Sequence, residues 1–216
     1  SVAVLQALLT EEEVSWCGKY YQFEPLTVMP RPDREIPLLM SAVKPGAIYL
    51  SARQGFHIMT TPLAGDHQYM LDQVDAFNRG KSELGSAGEE LTLSLSRVAF
   101  LVKDEADRRV KNAIAHRYYG RFDNVRGSGV VHHGVITPLP RKVPIEETAE
   151  NLLVCTPSEM IEKLKVYESI GVDRFILNIN FGNSQAEVLE CIENFATQVM
   201  PQFVVDNEPN TVRQVI

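Results

Sequence analysis

The sequence lacks long apolar runs, basic clusters and paired cysteines, and each absence excludes a class of protein. No apolar run approaches the roughly 20 residues that a membrane-spanning helix needs. The net charge is -7 over 216 residues, and without a basic cluster this argues against nucleic acid or an anionic membrane as a partner. Cys17, Cys155 and Cys191 are far apart with no C-x-x-C pair, which favours reduced thiols in a cytoplasmic protein.

Several familiar functional signatures are also absent. The chain contains no nucleophile elbow, no P-loop and no G-x-G-x-x-G motif. Its first ten residues, SVAVLQALLT, lack a basic region and a cleavage-site pattern, so we expect no signal peptide. With 44% hydrophobic residues the composition is that of an ordinary globular protein, and we expect all three cysteines to be small buried apolar residues.

The segment Asn151–Phe203 has the clearest secondary-structure signals. Thr156 and Glu159 have the T-x-x-E spacing of a capping box, which predicts the start of a helix. Gly171 is a natural helix stop because glycine adopts the left-handed conformation without steric cost. Arg174–Ile179 is a short apolar run typical of a parallel strand covered on both faces. The segment therefore predicts a helix, a buried strand and, after a second capping box, another helix.

Four strand–helix units follow one another along the chain. We expect their strands near Ile36, His57, Val98 and Phe175. Alternation of strands and helices predicts an α/β protein, and an eight-unit TIM barrel takes about 250 residues. We therefore predict that residues 1–216 form a single domain that supplies about the last four βα units of a (β/α)8 barrel.

Three further segments complete the predicted organisation. A small β-ribbon is expected within Val14–Pro32, before the first barrel strand. A helix is expected over Asp104–Tyr119, with its inward face formed by Ala106, Val110, Ala113 and Ile114. Residues 120–148 show no sustained period and contain several glycines and prolines, so we expect a long irregular insert, a kind of loop that is often functional.

Several motifs, in order, resemble the bacterial-luciferase-like, flavin-dependent monooxygenases. The closing segment of that family is similar to G-V-D-R-F-I-L-N-I-N-F-G, followed by I-E-N-F-A and V-M-P. Its fifth strand and helix resemble I-P-L-L-M-S-A-V-K-P-G, and its seventh strand resembles R-V-A-F-L-V. The region before the fifth strand is similar to T-E-E-E-V-S-W-C-G-K-Y-Y-Q-F. The resemblance implies a luciferase-like TIM barrel, with the insert at the position of the family's active-site loop.

The resemblance also implies a reaction. Reduced FMN, supplied by a flavin reductase, would react with O2 to form a C4a-peroxyflavin that inserts one oxygen atom into an apolar organic substrate. The implied protein is a homo- or heterodimer. A coenzyme F420-dependent oxidoreductase of the same fold and a non-catalytic flavin-binding or scaffold subunit remain as alternatives. The family's strands one to four have no counterpart here, which favours a fragment of a longer protein over a reduced family member, because a half barrel leaves sheet edges unpaired.

The turn between the first predicted barrel strand and its helix is the main candidate cofactor site. Backbone N–H groups, the helix dipole and a lysine in this turn are suited to the phosphate of FMN, although an ordinary βα turn is an equal alternative. The family usually has Ser-Pro where this chain has Lys44-Pro45-Gly46. The candidate phosphate-binding residues are Ser41, Ala42, Val43, Lys44 and Gly46.

Other polar residues are weaker candidates. Thr60 follows the second strand and is suited to contact phosphate or to cap a helix. Asn178, near the end of the last strand, would bind flavin or substrate if it points inward, and would otherwise tie strand ends together. His132 and His133 suit a solvated loop better than acid–base catalysis or a metal site. For Arg141 and Lys142, attraction of an anionic cofactor and loop solubility both remain open.

Overall fold

The computed structural model describes residues 1–34, 36–62, 67–127 and 129–203, and divides the chain into two compact units, Ser1–Leu39 and Met40–Ile216. The smaller unit contains helix α1 (Val2–Thr10) and strands β1 (Val14–Cys17) and β2 (Gln22–Leu26). The two strands pair antiparallel, with Cys17 opposite Gln22, so the prediction of a small β-ribbon is confirmed. Its buried apolar residues are Val4, Ala7 and Val14.

The larger unit is built around one five-stranded sheet. Strand β4 pairs parallel with β5, β5 pairs parallel with both β8 and β9, and β3 pairs with β4. The sheet strands are β3 (Leu39–Ser41), β4 (His57–Thr60), β5 (Leu93–Leu101), β8 (Leu153–Cys155) and β9 (Arg174–Asn178). The short strands β6 (Val131–His132) and β7 (Val135–Ile136) form a separate antiparallel hairpin.

Helices follow the strands in the order that a barrel requires. They are α2 (Pro45–Ala52), α3 (His67–Ser82), α4 (Glu105–Arg126), α5 (Ile145–Glu150), α6 (Pro157–Ser169) and α7 (Gln185–Asn194). A π-helical turn, Phe195–Val199, and a 3-10 turn, Met200–Gln202, continue α7. Parallel strands alternating with helices make this a partial TIM barrel of about four βα units, which confirms the predicted fold class.

Strand β5 lies at the centre of the core. Eight of its nine residues are buried, and only Ser96 is half-exposed. By contrast, the outer strands keep apolar side chains at the surface, with Ile176 of β9 38% exposed and Leu39 of β3 48% exposed. Buried parallel strands normally have helices on one face and barrel interior on the other, so this exposure fits a sheet that is part of a larger barrel.

Strand β8 is an element that the sequence did not predict. Its three residues, Leu153–Cys155, pair with Ala99–Leu101 at the carboxyl end of β5, while β9 pairs with the preceding stretch Ser94–Val98. The nine-residue length of β5 thus accommodates two partners in succession. Three residues are too few to show a period of two, so β8 exists because of non-local pairing and not because of a local pattern.

Helix α4 also differs from expectation. The helix continues to Arg126, so the predicted end at Tyr119 was wrong. The prediction of irregular structure from residue 120 onward was therefore wrong for residues 120–126. Its buried face contains Lys111, Ala115 and Tyr119, whereas Ala106, Val110 and Ala113 are exposed. At Gly120 the backbone of Leu139 packs so closely that a Cβ would clash with it, which explains a glycine inside this helix. The Leu139 N–H also donates to the Gly120 carbonyl at 3.0 Å.

Both predicted capping boxes are confirmed, and each glutamate also holds a cation from α4. The Glu159 carboxylate accepts from the Thr156 N–H at 2.8 Å and from Arg108 at 2.5 Å. The Glu187 carboxylate accepts from the Ser184 N–H at 2.8 Å and from Lys111 at 2.5 Å.

The Glu187–Lys111 pair couples α7 to the core. The Lys111 side chain is only 4% exposed, and its ammonium group lies 4.9 Å from the centre of the Phe100 ring. The hydrogen bond from Lys111, with those from Ser184, lowers the pKa of Glu187 to about 2. A carboxyl whose pKa is lowered by folding stabilises the fold above its unfolded pKa near 4.5, and this stabilisation is lost as the pH falls toward 2.

We therefore expect Glu187→Gln to lower the free energy of unfolding at pH 7 by about 1 kcal/mol, because solvent screens the half-exposed carboxylate. The variant should also lose stability less steeply than the wild type between pH 4.5 and pH 2, where the native carboxylate titrates. Urea unfolding at a series of pH values measures both effects. Glu162→Gln, in an exposed pair with Lys165, is the control, and identical acid profiles for Glu187→Gln and wild type would contradict this account.

Candidate functional site

The carboxyl ends of the parallel strands form the rim on which the predicted site residues lie. Strands β3, β4 and β9 end at Ser41, Thr60 and Asn178 respectively. In barrel enzymes the residues that follow strand ends build the binding site. Because β3 neighbours β4, the structure brings the Ser41–Gly46 turn and Thr60 to adjacent positions, while Asn178 lies two strands further along, beyond β5.

Hydrogen bonds from two neighbouring elements fix the turn after β3. The Ala42 N–H donates to the Met59 carbonyl of β4 at 3.0 Å. The Val43 carbonyl accepts from the Tyr69 hydroxyl at 3.1 Å and from Gln73 Nε2 at 2.7 Å, both of which are on α3. The turn is therefore held by strand pairing on one side and by a helix on the other.

Helix α2 begins directly after this turn with its first donors unused. Lys44 is the N-cap residue, and its carbonyl accepts from the Ala47 and Ile48 N–H groups at 2.9 and 3.0 Å. Pro45 has no N–H, and the Lys44 and Gly46 N–H groups have no acceptor among the described residues. A Cβ placed on Gly46 would meet no atom within 4 Å, so the space beside this residue is open. The Lys44 side chain is exposed and forms no ion pair within the described part of the chain. These groups form a basic turn open to an anion.

Thr60 contributes a buried hydroxyl to the same rim. The residue is 2% exposed, and its Oγ1 has no hydrogen-bond partner in the described residues. A buried polar group without a partner destabilises a protein by about 1–3 kcal/mol, so such a group calls for a ligand or a bound water. Helix capping, the structural alternative for Thr60, leaves this hydroxyl unexplained.

Asn178 is half-buried and already has a partner. Its Nδ2 donates to the Tyr118 hydroxyl of α4 at 3.2 Å. Tyr118 in turn packs edge-on against Tyr119 and Phe122, with ring centres 5.8 and 5.3 Å apart. This contact favours the structural role for Asn178, and a direct contact with flavin or substrate stays a prediction.

The remaining candidates are mostly structural. His132 and His133 are exposed on the β6–β7 hairpin, which fits the solvated-loop interpretation. The Arg141 guanidinium is buried, pairs with Asp123 at 3.1 Å and lies 5.2 Å from the centre of the Tyr119 ring, which argues against the loop-solubility role. Attraction of an anionic cofactor by Arg141 stays a prediction.

The cysteines offer no reactive thiolate in the core. Burial raises the pKa of Cys155 to about 11, and the pKa of Cys191 is raised for the same reason. Cys17 is exposed, so the prediction that all three are buried was wrong for that residue. Within the described residues no group of three His, Cys, Asp or Glu side chains suits a metal ion, and no helix has the length and apolarity needed to cross a membrane.

Gln73 is the site-related residue that sequence reasoning missed. It is fully buried, and its Nε2 donates to the Val43 carbonyl and, at 3.2 Å, to the Thr61 carbonyl. The signal for it was present, because Gln73 shares the buried helical face of Met70, Val74 and Phe77. A polar residue on an apolar helix face indicates a buried hydrogen bond.

The fold and the rim together define an α/β-barrel protein with an open basic turn at the carboxyl ends of its strands. The chain belongs to the luciferase-like monooxygenase family, whose model matches residues 1–174. The family predicted from the sequence motifs is therefore confirmed, and so is the barrel fold.

Two curated relatives illustrate the range of the family. An F420-dependent glucose-6-phosphate dehydrogenase of Beutenbergia cavernae is 25% identical over 94% of this chain and 59% of its own length. The oxygenase component of a flavin-dependent trigonelline monooxygenase of Acinetobacter baylyi is 25% identical over 86% of this chain and 54% of its own. This chain thus spans somewhat more than half the length of these relatives, which are both oxidoreductases.

A solved structure agrees with the fold. The monooxygenase RslO1 of Streptomyces bottropensis matches with a TM-score of 0.72 and 21% identity, covering 94% of this chain and 60% of that one. At this level of identity the likeness supports the barrel fold alone.

We expect Thr60→Val to leave the free energy of unfolding of the ligand-free protein unchanged or to raise it by about 1 kcal/mol, because it replaces an unpartnered buried hydroxyl with a methyl group. Thr92→Val is the matched control, since the Thr92 hydroxyl bonds to His57 Nδ1 at 2.9 Å and its loss should lower stability by about 1 kcal/mol. Urea unfolding compares the two. Equal destabilisation by both changes would show that the Thr60 hydroxyl has a partner in solution.

Proposed function

We propose that this chain forms the C-terminal part of an FMN-dependent monooxygenase that inserts one oxygen atom from O2 into an apolar organic substrate. The observation that carries the proposal is the open basic turn at the start of α2, on the strand-end rim of a luciferase-like barrel. Family membership supports the reaction class, and the turn supports a cofactor that carries a phosphate.

The residues present fit a phosphate group. An exposed lysine, two unused N–H groups and a buried unpartnered hydroxyl lie at the ends of the neighbouring strands β3 and β4. A phosphate accepts hydrogen bonds on several oxygens, and the positive end of a helix dipole favours its charge. This set of donors is better suited to an anion than to a metal ion.

Each group has a distinct role in the proposed site. The Lys44 ammonium group neutralises the phosphate, the Lys44 and Gly46 N–H groups donate hydrogen bonds, and the Thr60 hydroxyl donates from the neighbouring strand. When bound, reduced FMN supplies the electrons that activate O2. The chain itself orients the cofactor through its phosphate end.

The proposal includes partners and a location. A flavin reductase would supply reduced FMN, as the name of one relative, an oxygenase component, suggests for that protein. The substrate is a small or long-chain apolar molecule, and the assembly is a homo- or heterodimer. Three cysteines without a C-x-x-C pair support a cytoplasmic location.

A second candidate is an F420-dependent oxidoreductase of the same fold. Several curated relatives, including the dehydrogenases of Beutenbergia cavernae and Nakamurella multipartita, carry F420 in their names. Because F420 is a deazaflavin that also has a phosphate on its ribityl chain, the same turn serves this cofactor equally well. The two candidates differ in the reaction that follows binding, since F420 enzymes transfer hydride and do not consume O2.

We expect the full-length protein that contains this chain to bind FMN more tightly than riboflavin, which lacks the phosphate. Lys44→Gln should raise the FMN dissociation constant about tenfold and change that of riboflavin less than twofold, because only the phosphate contact is lost. Flavin fluorescence titration measures both constants. Lys165→Gln, an exposed lysine on α6, is the control for a change of net charge.

Cofactor binding and turnover assays on the same full-length protein distinguish the candidate functions. FMN binding with oxygen uptake that depends on NADH and a reductase supports the monooxygenase. F420 binding with hydride transfer and no oxygen uptake supports the second candidate. Cofactor binding without turnover would indicate a non-catalytic subunit, and binding of neither FMN nor F420 would contradict both enzymatic proposals.

A further inference from the structure

The side-chain amide of Gln73 bridges the turns that follow two neighbouring strands. One Nε2 group donates to the Val43 carbonyl at 2.7 Å, beyond β3, and to the Thr61 carbonyl at 3.2 Å, beyond β4. Gln73 itself is fully buried and makes no contact with solvent. We propose that Gln73 is a positioning residue that aims the Lys44 N–H into the phosphate site, an inference that rests on the proposed function.

The two carbonyl oxygens determine the orientation of the amide. An amide nitrogen has two hydrogens to donate, and here both acceptors lie on the nitrogen side. The opposite orientation would face the amide oxygen toward two carbonyl oxygens and is therefore excluded. The Gln73 oxygen, on the other side, has no partner among the described residues.

The hydrogen bonds to the Val43 carbonyl also determine the direction of the Lys44 N–H, because both groups belong to the same peptide. In a planar trans peptide the C=O of one residue and the N–H of the following residue point in opposite directions. Because the Val43 carbonyl is held toward α3 by Gln73 and Tyr69, the Lys44 N–H points away from α3. That N–H has no acceptor among the described residues, and Gly46 supplies the next unused donor.

The burial of a glutamine here is informative because an apolar residue would fill the same position. Met70, Val74 and Phe77 surround it on the same helix face, all within the core. Burying the amide, with its oxygen unpartnered, destabilises the fold relative to a methionine of similar length. The amide is thus better explained by the two turns that it holds than by packing.

The test compares phosphate-dependent with phosphate-independent binding in the full-length protein. Gln73→Met keeps the length of the side chain and removes both hydrogen bonds. We expect this variant to bind FMN about tenfold more weakly than wild type and riboflavin within twofold of wild type, because riboflavin has no phosphate to misplace. Inorganic phosphate should also compete less well with FMN in the variant. Gln68→Met, an exposed glutamine on the same helix, is the matched control and should leave both affinities unchanged.

A second variant covers the case in which Gln73→Met does not fold. Tyr69→Phe removes the other donor to the Val43 carbonyl and keeps the aromatic ring, so it should raise the FMN dissociation constant two- to fivefold without an effect on riboflavin. A general loss of structure would weaken the binding of FMN and riboflavin in parallel. Parallel weakening in a Gln73→Met variant that is folded would overturn the inference.

The outcomes also distinguish this inference from the proposed function. A wild-type protein that binds FMN no better than riboflavin contradicts the phosphate site and with it the proposed function. A wild-type protein that prefers FMN, together with a Gln73→Met variant that keeps the full preference, overturns only the role of Gln73.

Discussion

The parallel pairing of β5 is the constraint on which the rest of the fold depends. This single strand pairs with β4, β8 and β9, and eight of its nine residues are buried. Its register sets the height at which the neighbouring strands end, and therefore where their following turns lie. Even the side chain of Asp173 takes part, accepting from the Leu93 N–H at 2.7 Å at the start of the strand. Along β5 the ends of β4, β9 and β8 lie opposite Leu95, Val98 and Leu101, so the rim is staggered, and the turns that follow these strands lie at successive heights.

Buried side-chain amides order the loops that the sheet leaves unpaired. Gln73 bonds to the carbonyls of two turns, and Asn124, also fully buried, bonds to the Val130 and Thr137 carbonyls at 2.6 and 2.7 Å at the base of the β6–β7 hairpin. Irregular backbone cannot satisfy its own carbonyls, so a buried amide from a nearby helix supplies the donors. Through these two residues, helices of the barrel fix the conformation of neighbouring loops in addition to packing against the strands.

Local signals in the sequence were sufficient for much of the fold but for only part of the site. The capping boxes at Thr156 and Ser184 were predictable because a helix start depends on residues three apart. Strand β8 and the buried face of α4 depend on pairing with β5 and on contacts such as that of Gly120 with Leu139, which no local pattern encodes. The turn at Ser41–Gly46 was located by its place after a strand, whereas the role of Gln73 required the positions of two distant carbonyls.

Hydrogen-bond donors without a partner lie close together at the ends of the neighbouring strands β3 and β4. At Asn178, on the same rim, the side-chain amide already donates to the Tyr118 hydroxyl. At Thr60, Lys44 and Gly46 the donors point to no partner in the described structure. A fold gains stability by pairing such groups, so donors left unpaired at adjacent strand ends are what a binding site for an anion requires before the anion arrives. The hydrogen bonds of Gln73 agree with this, because its amide bonds to carbonyl oxygens of the turns and leaves the Lys44 and Gly46 N–H groups unused.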